Sequence, residues 1–408
     1  MNWIKEQGLD SWLFRGAVAL MLLFPACYSP YTDVYQSAYY GGFTWAYFLI
    51  VLYMGVKIWK NTGKCSAISA AGILYFVGLL LYNALSLYYN HRYLHWYWEE
   101  INNTVAFLFL AVLAGCGEEA EEKWKGNIRF LMYCIILSNI ASLIYYKMGY
   151  IRLLICNNQF VCYSLPEDFY ETRHYWIYSH KSEYALMLVA FIALLVAYRK
   201  LFQSQLVFAG GVAVLLCCLY LTHSWTGIAG VFLIFAGYAA DQINWKNFHF
   251  RVWYLAVLAA FGYAGWKVAG DVLAERNIWT LGGRTIIWKG VWQNGILRYP
   301  QGWGLRFGES AIDVGGWLVN NGHNVFLNQM LRFSIPVGIV FTLLFLGIVI
   351  YTLVKSRSFL MAGTWIALLV LMNMDYALMS TELALLLLIV WLVSRYRSPI
   401  FNRNKQDF

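Results

Sequence analysis

The chain has 408 residues, of which 61% are hydrophobic, 19% aromatic and only 12% charged, with a formal net charge of +9. A soluble globular chain carries about 25% charged residues, so roughly half the usual solvated surface is missing. That balance excludes an ordinary soluble enzyme or a nucleic-acid-binding module. It predicts an all-α polytopic protein whose solvent is largely lipid.

Apolar runs approaching the roughly 20 residues that cross the hydrocarbon core as a helix recur along the chain. In chain order they predict about twelve spans: Trp12–Cys27, Phe43–Val56, Ile68–Tyr88, Asn102–Cys116, Phe130–Tyr146, Glu183–Tyr198, Gln205–Leu221, Thr226–Ala240, Val252–Val268, Ile335–Leu353, Phe359–Met374 and Tyr376–Val393. The 31 Tyr and 19 Trp suit interfacial aromatic belts. Met1–Asp10 is polar, and no small-x-small cleavage site precedes the second span, so no removable signal peptide is expected. With the N-terminus inside, the short cytoplasmic loops hold Lys57, Lys60, Lys64, Lys123, Lys125, Arg129, Arg199, Lys200, Lys246, Arg251, Lys355 and Arg357. This bias places both termini in the cytoplasm.

Three regions follow: residues 1–270 with the first nine spans, an extracytoplasmic loop over 271–334, and residues 335–408 with the last three spans and a cytoplasmic tail. The remaining basic residues concentrate in two external segments, Lys147–Lys181 and Lys267–Arg332. The second carries Arg276, Arg284, Lys289, Arg298 and Arg306. Long translocated loops tolerate such charge, and an anionic ligand on the outer face explains its concentration.

Eight cysteines lack the CxxC spacing of a zinc site. Cys156 and Cys162, in the external stretch "CNNQFVC", are candidates for a loop-stapling disulfide. Neither a phosphate-binding glycine loop nor a DxD pair for metal-held nucleotide sugars occurs, so no cofactor or metal is expected. Glu99–Glu100 are adjacent and diverge, unlike a glycosidase dyad. Asp33, Arg332 and the intramembrane Glu382 are further ionisable candidates, each with an ordinary interfacial or paired alternative.

The longest stretch without a predicted span runs from the ninth span to Ile335, a length that is usually functional. From Arg284, Ile287, Trp288, Val291 and Ile296 give one apolar helical face. Gly282–Gly283 break the chain before it, and Pro300, Gly302 and Gly304 end it in turns. "GHNVFLNQML" is helical again.

This stretch, "GGRTIIWKGVW…YPQGWG…GHNVFLNQMLRFSIPVGIVFTLLFL", resembles the signature of the O-antigen polymerase and O-antigen ligase superfamily. Members are multi-span membrane proteins with a Gly-Arg helix, a Pro-x-x-Gly-x-Gly turn and a His-(Asn/Ser/Gln) helix start in one large periplasmic loop. The likeness covers Gly282 to Leu353 closely and the rest only in span count and topology. It implies a GT-C-like architecture in the bacterial inner membrane, with Arg284 as the loop arginine and His323, beside Asn324, as the essential histidine. Two positions depart. Ser334 stands where a glycine is expected. "LTHSWTG" places Trp225 where a second arginine is expected, leaving His223, or Arg173 with Lys181, to supply that charge.

The implied substrates are a polyprenyl-pyrophosphate-linked oligosaccharide and an acceptor glycan. A planar arginine fork suits a leaving diphosphate, and a histidine titrating near neutrality suits the acceptor proton. Lys289 and Arg306 are further candidates for the anionic substrate. A polymerase of repeat units, a ligase to lipid A–core or another acceptor, and a transporter of lipid-linked sugars all fit a membrane protein of this kind. The loop and its His–Arg pair weigh against the transporter, which would want intramembrane charges and a two-fold repeat. A chain-length regulator or flippase is an expected partner.

Overall fold

The computed structural model describes residues 8–24, 42–60, 95–115, 121–156, 159–164, 172–178, 180–243, 263, 283–300, 302, 312–319, 322–374 and 382–397. These residues are mostly helical and divide into two compact units. The first comprises Met1–Ser224, Thr352–Ser356 and Ala377–Phe408, and the second Trp225–Tyr351 and Arg357–Tyr376.

Unit 1 contains α1 (Gly8–Leu23), α2 (Gly42–Lys60), α3 (His95–Gly115), α4 (Glu121–Lys147), α5 (Lys181–Ala197) and α6 (Gln205–Leu221), with Leu383–Arg395 from the far end of the chain. Of these, α5 is buried on every side from Ser182 to Val196, as is the stretch from Leu383 to Ser394. A helix apolar all round has no face left for solvent, so the two form the centre of the unit. A capping box starts α5: the His180 side chain accepts from Ser182 N at 3.2 Å, and Glu183 Oε2 accepts from His180 N at 3.2 Å. Glu382 is buried just before Leu383, at 1% exposure.

Unit 2 contains α7 (Trp225–Gln242), α8 (Arg284–Gly290), α9 (Val325–Arg332), α10 (Ile335–Ser356, whose last residues group with unit 1) and α11 (Phe359–Met374); Leu383–Arg395 of unit 1 is α12. Glycines let α7 and α11 pack backbone to backbone. A Cβ at Gly237 would collide with the Phe359 carbonyl, and one at Gly363 with the Leu233 carbonyl. Asp241, at the end of α7, then caps the start of α11, accepting from Phe359 N at 2.8 Å, Leu360 N at 3.1 Å and the Ser358 hydroxyl.

Among the described residues, Trp124–Lys147 and Ile335–Ser356 are long and apolar enough to cross a membrane. Residues Asn102–Gly115, Gln205–Leu221, Phe359–Met374 and Leu383–Arg395 form shorter apolar helices. Helices cover most of the described part of the expected spans; Ile68–Tyr88, Val252–Val268 apart from Tyr263, residues 25–27, Cys116 and residues 376–381 fall outside the described residues.

The chain is not wholly helical. Each of the segments Lys147–Lys181 and Lys267–Arg332 holds an antiparallel hairpin: β1 (Tyr150–Cys156) with β2 (Gln159–Ser164), and β3 (Ile312–Val314) with β4 (Trp317–Val319). Gly315 and Gly316, with φ of +63° and +90°, make the two-residue turn of the second, where both central residues need positive φ. Gly149, at φ +90°, ends α4 and turns the chain into β1.

The first hairpin corrects the disulfide expectation. Cys156 pairs with Gln159 and Cys162 with Leu153, so three strand positions, about 10 Å, separate the two cysteines along the ribbon. A disulfide needs Cα atoms within about 7 Å. Cys162 is a free, exposed thiol.

In unit 2, α8 runs into a π-helical turn, Val291–Ile296. Ile287, Val291 and Ile296 from this stretch, Ile312 and Val314 from β3, and Leu331 from α9 share one apolar core. Gly290 lies against Val314, and Gly295 against Leu331 and Ile312, where side chains would not fit.

Candidate functional site

Arg284 opens α8 directly after Gly283, whose φ of +86° lets the chain turn into the helix. Its Nε donates to the carbonyl of Met374, the last residue of α11. The C-terminal carbonyls of a helix carry partial negative charge, so they are natural anchors for a guanidinium. The guanidinium carries two terminal nitrogens besides Nε, each an N–H donor in the same plane.

Asn324 is the N-cap of α9. Its Oδ1 accepts from Leu327 N at 3.0 Å, and its Nδ2 donates to Asn373 Oδ1 at 2.8 Å. Asn373 in turn donates to Leu369 O at 2.7 Å. Arg284 and Asn324, forty positions apart, are therefore held by consecutive residues at one helix end. His323 is half-buried and adopts φ +45°, a left-handed conformation costing a non-glycine residue about 1–2 kcal/mol. Gly322 N donates to Asn328 Oδ1 at 2.7 Å and fixes the other side of this corner. The half-buried Arg284, His323 and Asn324 sit in a unit whose core is apolar, where charge on a ligand is felt strongly.

Lys289 is on α8 with an exposed side chain. Arg306 lies outside the described residues, as does the side chain of Arg332.

The structure also gathers the other basic candidates, in unit 1. His174 N donates to Leu221 O at 3.0 Å, which brings the loop carrying Arg173 to the end of α6, where His223 follows. Burial lowers the His223 pKa, and the nearby positive charges of Arg173 and Lys181 lower it further. His223 adopts φ +52° between Thr222, whose hydroxyl bonds Leu219 O at 2.7 Å, and Ser224. Trp225, at the position where the resemblance expects arginine, is 45% exposed.

Two features escaped the sequence reading. Asn373 and the Met374 carbonyl anchor the site, and a backbone carbonyl leaves no mark in sequence. A buried polar chain also runs beside α4. His174 Nε2 meets Ser142 Oγ at 2.6 Å, Ser142 Oγ meets Tyr184 OH at 2.9 Å, and Tyr184 OH donates to Asn139 Oδ1 at 2.7 Å. Trp176 Nε1 donates to Ser138 Oγ at 3.1 Å. Ser138, Asn139 and Ser142, polar at helical spacing within an apolar run, were the signal for it. Burial pushes the His174 pKa down to about 4, with smaller opposing contributions from its hydrogen bonds.

Among the described residues, no three His, Cys, Asp or Glu gather as metal ligands. Neither a family model nor a curated protein matches the chain.

Proposed function

We propose that the protein is a polymerase of polyprenyl-pyrophosphate-linked oligosaccharide repeat units, building O-antigen or capsular polysaccharide at the outer face of the bacterial cytoplasmic membrane. In this reading the chain crosses that membrane about twelve times in a GT-C-like arrangement with both termini in the cytoplasm. One observation carries it. Arg284, and Asn324 beside His323, which the resemblance to the O-antigen polymerase and ligase superfamily marks as functional, are tied to adjacent residues, Met374 and Asn373, of one helix end.

The chemistry balances on these side chains. An acceptor sugar hydroxyl attacks the anomeric carbon of the donor glycan; the new glycosidic C–O bond forms as the bond to the diphosphate breaks. His323 takes the hydroxyl proton, a contribution of about 10²–10⁴-fold in rate. The terminal nitrogens of Arg284 meet the diphosphate oxygens as their charge develops, a contribution of about 10²–10³-fold for a well-placed donor. Polyprenyl diphosphate leaves. In this reading the charges of Arg173, Lys181, Lys289 and Arg306 attract the anionic substrate, and His223, whose pKa is lowered, serves as a neutral hydrogen-bonding ring.

Replacing Arg284 or His323 with alanine should abolish polymer while the protein still inserts in the membrane; normal polymer in either variant refutes the assignment. Deletion of the gene separates this reading from a ligase. Single repeat units on the final acceptor fit loss of a polymerase, whereas long chains stranded on polyprenyl lipid fit loss of a ligase.

A further inference from the structure

We infer that Asn373 is a positioning residue for the reaction: its amide holds the Gly322–Asn324 corner, and with it His323, in a fixed place relative to Arg284. The inference rests on the glycosyl-transfer reading above.

The Asn324 side chain does two separable things. Its oxygen caps α9 through Leu327 N, and that bond alone suffices to start the helix. Its nitrogen makes a second bond, to Asn373 Oδ1, that capping does not need. Asn373 cannot rotate freely to suit, because its own nitrogen is engaged by Leu369 O one turn back on α11. With donor and acceptor ends of both amides committed, a flip of either would set N–H against N–H or oxygen against oxygen. The link is thus directional. The next residue, Met374, receives Arg284 through its carbonyl. Two successive residues of one helix therefore set where the guanidinium starts and where the imidazole-bearing corner ends. Within α11 Asn373 already has a partner in Leu369, so its bond to Asn324 is a bond between elements. A displacement of reacting groups by about 1 Å costs on the order of 10²-fold in rate, so such a link acts on turnover more than on affinity.

The test uses the full-length protein in lipid nanodiscs, with polyprenyl-diphosphate oligosaccharide extracted from a strain lacking the gene. Asn373→Leu keeps the volume and removes the bond. Asn324→Ser keeps a good cap and removes the same bond. Each should lower kcat by roughly 10- to 100-fold with KM nearly unchanged, and the double variant should be no worse than the poorer single one. Losses that multiply in the double variant would mean that the two substitutions act on different interactions, and that result overturns the inference, as does wild-type kcat in Asn373→Leu. Hydrogen exchange over residues 322–332 reads the link without activity: Asn373→Leu should speed it, and unchanged exchange overturns the inference. If the wild-type protein forms no polymer, or Arg284→Ala keeps full activity, the glycosyl-transfer reading fails. The positioning role fails with it, and exchange then decides only whether the link holds the corner.

Discussion

Gly338 lies against Met330 so closely that a Cβ on the glycine would fall inside the Cγ, Cα and N of the methionine. The backbone of α9 is pressed onto the first turn of α10. One turn earlier on α9, Phe326 packs on Phe341 and Phe345, with ring centroids 6.4 and 5.8 Å away, and Phe345 meets Trp365 of α11 at 5.5 Å. Glycine at 338 thereby sets the height of the His323 corner above α10. Gly338→Ala should cost about 1–3 kcal/mol by overpacking and lower activity with it. Gly347 provides the control on the same helix, since nothing lies within 4 Å of a Cβ there. Gly347→Ala should leave both the thermal midpoint and the activity at or slightly above wild type.

The α7–α11 pair should be equally sensitive. The atoms that a Cβ at Gly237 or Gly363 would meet belong to the Phe359 and Leu233 backbone, which cannot swing aside as a side chain would. Alanine at either position should force the helices apart and lower the unfolding midpoint in detergent, by about 1–3 kcal/mol of stability. The Asp241 cap gives a second handle on the same joint. Asp241→Ala removes the carboxylate that accepts from Phe359 N and Leu360 N and should cost about 0.5–2 kcal/mol, measured in the same melts.

How much of this was legible depended on the kind of signal. Apolar runs marked α5, α6 and α11 closely, because each is apolar along nearly its whole length and the starts of α5 and α6 carry caps, His180 and Ser204. The apolar positions Ile287, Val291 and Ile296 of the loop were legible for the same reason. The hairpins were read as loop: the strands of the second are only three residues long, although Gly315–Gly316 is a hairpin turn signal, and those of the first lie in a segment read as an external loop. At the candidate site the sequence supplied Arg284, His323 and Asn324, while the groups that tie Arg284 and Asn324 down are a carbonyl and an amide at the end of an apolar helix. Long-range pairing of that kind has no local periodicity to betray it.

The first hairpin makes a redox prediction. Since the register holds Cys162 opposite Leu153 and away from Cys156, its exposed thiol should react with an alkylating reagent in the folded, unreduced protein. Mass spectrometry of the labelled peptide checks this. Recovery of a Cys156–Cys162 disulfide peptide instead would contradict the register.

His174 predicts how stability depends on pH. It is fully buried, and burial lowers its pKa from the ordinary 6.5 to about 4. Above about pH 6.5 the ring is neutral in both folded and unfolded chains, so it adds no pH dependence. As the pH falls from there towards 4, the unfolded chain takes up a proton that the folded one refuses. Stability is lost through that window, up to about 3 kcal/mol in all. His174→Gln, which removes the titration, should flatten the dependence relative to wild type in melts between pH 8 and 4.5. Parallel slopes for the two proteins would show that other groups govern the acid limb.

Arg284→Lys separates charge from geometry. The carbonyl of Met374 accepts from Nε, an atom partway along the side chain, so the anchor does not use the terminal nitrogens. Lysine has its single nitrogen at the tip. It can meet the helix end or a diphosphate oxygen, and it offers no planar fork for two oxygens. If arginine mattered only for its positive charge, lysine would restore most of the activity lost in the alanine variant. Because anchoring and presentation need different nitrogens of one group, lysine should instead remain at least about 10²-fold below wild type in kcat/KM, close to the alanine variant. The comparison of the three side chains in one membrane preparation checks this directly, and near-wild-type turnover with lysine would show that the anchored fork is unnecessary.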